Sequence, residues 1–278
     1  MATRIEDYRS AWLFFVVTYA FSWLFWIPLA LSAHNVSLPP ALVDFLNSPL
    51  NPAAFGPLFA ALLLTLLREG GTGIWHLLKR GFTLRARRIW LLPILVLPFV
   101  LFAGGVILAA LTGRRQLDLS VVSNPPYAVI SFLVILLTAG PLQEEFGWRG
   151  YALPRLQSRF NALVSSVVLG FFWWLWHLPA VLIPGRFMTN DLLLFAALLV
   201  EIVLTSILFT WIYNNTRGSV LATMLLHTSM NWSIWLFMPD MQVSLPIIGF
   251  TVALLIVAVA VIIRVWGADR LSRIPEES

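Results

Sequence analysis

In a chain that is 59% hydrophobic and only 11% charged, few residues could do acid–base chemistry within apolar sequence. They are Glu144, Glu145, Arg149, His177, Glu201 and His227, joined by Asn231 as a buried amide. Ionisable groups inside a bilayer are costly and usually face the bundle interior, so these positions are the most informative in the chain. All but Glu201 fall in three stretches: PLQEEFGWRG, FFWWLWHLPA and HTSMN.

In the first stretch Glu145 and Arg149 are four apart and share a helix face, where pairing offsets the cost of burying each charge. Glu144 points about 100° away and has no arginine of its own in this segment. An unpaired, poorly solvated carboxyl is suited to exchange a proton as a general base or acid. In the second stretch Trp173 and His177 stand at i and i+4, so an aromatic ring can wall the imidazole, and Pro179 constrains the helix just beyond. In the third, His227 and Asn231 share a face at the same spacing.

The second and third stretches, taken singly, also suit packing or interhelical hydrogen bonding. Together the three supply a carboxylate, two imidazoles and an amide on separate helices. Such a set can hold a water near the carboxylate while donors face the oxygen of an attacked carbonyl. The implied reaction class is hydrolysis of an amide bond.

These groups need apolar elements to position them. With 13 Trp and 20 Phe, the chain reads as an all-α, polytopic membrane protein. About eight segments have the roughly 20 apolar residues that a crossing requires. They lie near 11–33, 51–67, 89–112, 127–146, 161–182, 191–213, 218–237 and 243–264. One membrane domain covers 1–278, with its motif-bearing core at about 127–237. The first span is too long and too mixed in flanking charge for a secretory signal, and is expected to be a retained helix.

Of the 18 Lys and Arg residues, 15 fall on the side of the termini, leaving Arg114, Arg115 and Arg186 opposite. The bias predicts cytoplasmic termini, and a plasma-membrane location in a prokaryotic host. The net charge of +5 then needs no nucleic-acid partner, because loops facing anionic lipid account for it. The absence of Cys excludes disulfides and thiolate chemistry.

The segment Arg68–Arg88 is expected to form a short helix on the inner membrane surface, with His76 as an interfacial side chain. Glu144 and His227 each lie about ten residues, roughly 15 Å, from an inner loop, whereas His177 lies farther from its own. Glu201, in LLVEIVLTS, has no cation nearby in sequence and is expected to be protonated or hydrogen-bonded across the bundle.

EEFGWR fits an EExxxR signature, WWLWH approximates FxxxH, and HTSMN fits HxxxN, in that order. On these motifs, which cover about 127–237, the chain resembles the CAAX prenyl endopeptidase type II family, also called the CAAX protease and bacteriocin-processing family. The resemblance implies an intramembrane endopeptidase acting on a lipidated (CAAX-type) or hydrophobic membrane-associated peptide that enters from the inner leaflet. It implies that Glu144 activates water, assisted by His177, while His227 and Asn231 stabilise the oxyanion. Glu145 and Arg149 would be supporting residues. Trp173 departs from the family's Phe, so an aromatic wall survives with a changed shape.

No cofactor is expected. Zinc held by Glu144, His177 and His227 is the alternative, weakly indicated because the chain has neither HExxH nor Cys. The competing readings are a non-catalytic membrane immunity or scaffold protein using the same cluster for binding, and a proton-coupled transporter. No inverted repeat supports the latter.

Overall fold

The computed structural model describes residues 2–48, 51–84 and 86–274, with side chains from Tyr8 onward. Its elements are α1 (Ala2–Ala33), α2 (Pro40–Asn47), α3 (Gly56–Lys79), α4 (Leu91–Pro98), α5 (Gly104–Leu111), α6 (Pro125–Thr138) and α7 (Pro141–Gly147). After these come α8 (Leu153–Gln157), α9 (Ala162–Trp176), α10 (Leu178–Val181), α11 (Leu192–Asn215), α12 (Val220–Trp235) and α13 (Leu245–Trp266). There is no strand among the described residues.

Among the described residues six helical stretches are long and apolar enough to cross a membrane, and the bent run from α6 to α8 makes a seventh if it is one span. The remaining expected crossing is α12, whose 16 residues reach about 24 Å. Two spans contain a π turn, at Phe99–Ala103 between α4 and α5 and at Trp148–Ala152 between α7 and α8.

One expectation is corrected. The span placed at 127–146 does not end there. It breaks after Thr138, bends by 41° and continues to Gln157, because Gly140 takes φ 107° and Pro141 opens a new helix. In the Arg68–Arg88 segment Gly70, at φ 67° and ψ −162°, kinks α3, so a short helix running to Lys79 follows the break as expected; Leu77 of its last turns is buried against Gly150. Arg85 lies outside the described residues.

The loops gather on two faces. On one, Ala162 and Leu163 donate to Asp269 and Ala268, Asn214 reaches Arg270, and the ring of Tyr8 meets that of Phe160. Arg80 clasps the same face through the carbonyls of Gly218 and Gly150, each at 3.0 Å, and the Tyr213 hydroxyl. On the other, Asp118 donates to Phe237 and Val243 to Met188, Arg115 pairs with Asp240, and Arg186 reaches the carbonyls of Leu46 and Asn47. Both ends of the described chain belong to the first face.

α1 acts as a wall for α9. Tyr19 donates to the Phe172 carbonyl at 2.5 Å and Trp23 to the Trp176 carbonyl at 3.0 Å, while Trp176 donates to Ser22 at 2.8 Å. Phe15 stacks on Phe172 with ring centres 4.2 Å apart. Aromatic pairs of this kind add to their burial energy, so the N-terminal helix holds the indoles that in turn reach the site.

Candidate active site

The break between α6 and α7 creates unpaired backbone groups inside apolar surroundings, and each must find a partner. Gln143 supplies two: its Oε1 accepts from the Gly140 N–H at 2.7 Å, and its Nε2 donates to the Thr138 carbonyl at 3.1 Å. Asn231 of α12 donates to the Ala139 carbonyl at 2.9 Å. With the break stapled in this way, α7 begins in mid-bundle and Glu144 and Glu145 fall in its first turns, both buried. Gly147 lets α7 lie against α3, since a Cβ there would stand 2.5 Å from the Pro57 carbonyl oxygen.

Glu144 keeps no ion pair among the described residues. Its Oε2 instead accepts indole N–H bonds from Trp173 at 2.6 Å and Trp148 at 3.2 Å, which orient the carboxyl without neutralising it. The wall expected of Trp173 is therefore also a donor, a role that Phe cannot fill. Trp148 was not among the sequence candidates, although it stands one helical turn from Glu144.

Glu145 pairs with Arg149 as the spacing predicts, at 2.9 Å, with both side chains wholly buried. The same oxygen, Oε1, lies 2.9 Å from Nδ1 of His227. A carboxylate only accepts, so Nδ1 carries the proton and Nε2 is turned away from Glu145. Arg149 is further held between the rings of Trp173 and Phe209, 4.4 and 4.1 Å from their centres.

His177 caps the end of α9 and its Nδ1 donates to the Trp173 carbonyl at 2.9 Å. A cavity of about 460 Å³ collects Glu144, Trp173, His177, His227 and Asn231, together with Glu201. The three motifs thus converge. His177 joins them from farther along its helix because the cavity extends to the face opposite the termini, where Gly185–Met188 and Asp240–Gln242 form its rim. The cavity lining thus reaches the face opposite the termini.

At the inner end, the position that a Gly140 Cβ would take is 2.7 Å from Oε1 of Glu144 and 3.3 Å from Nε2 of His227. The open carboxylate oxygen and the open imidazole nitrogen therefore face one small region, kept clear by the glycine. A second, apolar groove of about 460 Å³ runs between α6 and α12 past Ile130, Val134 and Trp235, and shares Thr138, Ala139, Asn231 and Met241 with the cavity.

Zinc catalysis uses three protein ligands and one open position. Oε1 of Glu144 and Nε2 of His227 stay open, but no group of three His, Cys, Asp or Glu that could hold a metal ion stands together among the described residues. The two open donors fall short of the three ligands that such a centre needs.

Residues 126–233 match the family described as type II CAAX prenyl endopeptidase Rce1-like. This matched segment is the motif-bearing one. A 106-residue stretch is 31% identical to CAAX prenyl protease 2 of Methanococcus maripaludis. The similarity takes in 37% of this chain and spans only 39% of that relative's length. The Rce1-like segment contains every motif residue named above, whereas α1, the indole-bearing wall, lies outside it.

Proposed function

We propose that the chain is an intramembrane endopeptidase that hydrolyses a peptide bond in a lipidated or hydrophobic membrane-associated substrate. The observation that carries this reading is the Glu144 carboxyl, with one oxygen clamped by two indoles and the other open to the cavity beside His227. A general base needs that combination of fixed orientation and access.

In the proposed reaction Oε1 of Glu144 takes a proton from a water held with the help of His177, and the hydroxide adds to the peptide carbonyl. His227, its ring fixed by Glu145, and the remaining amide N–H of Asn231 face the oxyanion. Asn231 has two N–H bonds, and one of them is spent on Ala139. Glu144 then returns its proton to the leaving nitrogen as the carbon–nitrogen bond breaks, so one water yields a carboxylic acid and an amine. No metal enters the scheme.

The groove between α6 and α12 supports lateral entry of an apolar segment, since it joins the cavity at Ala139 and Asn231. The Lys and Arg bias supports cytoplasmic termini. With the cavity rim on the opposite face, the site is proposed to open away from the cytoplasm.

Purified protein and its Glu144→Gln variant, incubated with lipidated and unlipidated hydrophobic peptides, test the proposal. The expected result is cleavage by the parent, undiminished by chelator, and a loss of at least about 100-fold in the variant. Equal cleavage by the two proteins would refute the base, and chelator-sensitive cleavage restored by zinc would refute the metal-free scheme.

A further inference from the structure

One face of α11 turns Leu198, Glu201, Ile202 and Thr205 into the cavity. Glu201 is 93% buried, at 7% exposure, and its carboxyl makes no hydrogen bond or ion pair among the described residues. Thr205, one turn on at i+4, is 2% exposed. Its hydroxyl is also without a partner among the described residues. This is unusual, because a helical Thr commonly bonds back to the carbonyl four residues earlier. Leaving a buried carboxyl and a buried hydroxyl both unmatched is costly, and each costs least if something else completes it.

The other charged groups around the cavity are engaged, apart from Oε1 of Glu144, which the proposed chemistry uses. Glu144 is held by Trp148 and Trp173, and Asp240 by Arg115. Arg186 is turned to the carbonyls of Leu46 and Asn47. Neither side chain of the α11 pair is used by the proposed chemistry.

We propose that Glu201 and Thr205 form a specificity subsite for a cationic side chain, lysine or arginine, of the peptide bound in the cavity. The proposal rests on the peptidase reading. A carboxylate and a hydroxyl one turn apart present acceptors to a multidonor cation, and the apolar neighbours Leu198 and Ile202 suit its methylene stem. A site built to pair a buried polar group discriminates against ligands that lack it far more sharply than an apolar pocket can discriminate by size.

The test uses hydrophobic peptides carrying a single lysine, walked along the sequence, each matched by a peptide with norleucine in its place. Cleavage and binding are both measured for the parent, Glu201→Gln and Thr205→Val. At one lysine position the parent should favour lysine over norleucine by about tenfold or more in kcat/KM, carried by KM, and in Kd. Glu201→Gln should bring that ratio to within about twofold while leaving norleucine peptides unaffected, and Thr205→Val should lower it less.

An unchanged ratio in Glu201→Gln, or no lysine preference in the parent by either readout, overturns the subsite. If the parent cleaves nothing yet its binding preference disappears in Glu201→Gln, the subsite stands and the peptidase reading falls. Normal cleavage with an unchanged ratio removes the subsite and leaves the peptidase reading intact.

Discussion

Nδ1 of His227 and Oε1 of Glu145 lie 2.9 Å apart although 82 residues separate them in sequence. That contact makes Glu145 more than the partner of Arg149, because it fixes the tautomer and direction of the imidazole that faces Glu144. Two adjacent glutamates thus do different work. One is sequestered to hold an arginine and a histidine, and the other is left open.

Glu145→Gln should therefore destabilise the protein more than Glu144→Gln. It leaves Arg149, wholly buried, without its counter-ion, a loss expected to cost about 3–5 kcal/mol. Thermal unfolding in detergent is the measurement, and equal midpoints for the two variants would contradict the role assigned to Glu145.

Placing Phe at position 173, as in the motif the chain resembles, should impair this chain. Trp173→Phe keeps a ring beside Arg149 but removes the 2.6 Å bond to Glu144. A hydrogen bond to a charged group is worth about 1.5–3 kcal/mol, so kcat/KM should fall by roughly 10- to 100-fold. Trp148→Phe, which removes the longer 3.2 Å bond, should cost less. Peptide cleavage by the two variants side by side gives the comparison, and the reverse order would show that the indole bonds do not orient the base.

Gly140→Ala tests the break itself. The new methyl would meet Oε1 of Glu144 at 2.7 Å, at a residue whose φ is 107°. Strain of about 1–3 kcal/mol and displacement of the open oxygen should abolish cleavage. A Gly140→Ala protein that cleaves at the parental rate would exclude convergence of Glu144 and His227 at this point.

Because the chain has no Cys, single cysteines report topology directly. Cysteine at Gly185 or Gln242, on the cavity rim, should react in intact cells with a membrane-impermeant maleimide, and cysteine at Arg217 should react only after lysis. The opposite pattern would place the cavity mouth in the cytoplasm.

The sequence by itself determined the solvent and the few ionisable groups that lie within it. Composition and the length of apolar runs dictate a helical bundle in lipid, since only helices satisfy every backbone group within such segments. Spacing alone makes the Glu145–Arg149 pair legible, because i,i+4 contacts are local. Helix ends are less legible: the expected stop at 146 is misplaced because a glycine with positive φ and a proline redirect an apolar run without changing its hydropathy.

What only the tertiary structure decided are the contacts between helices distant in sequence. They comprise the indole clamp on Glu144, the hold of Glu145 on His227, the staple from Asn231 to Ala139, and the face on which the cavity opens. Periodicity reports which face of a helix is apolar. It cannot report which neighbour that face will meet, because packing against several other helices at once sets the rotation and depth of each.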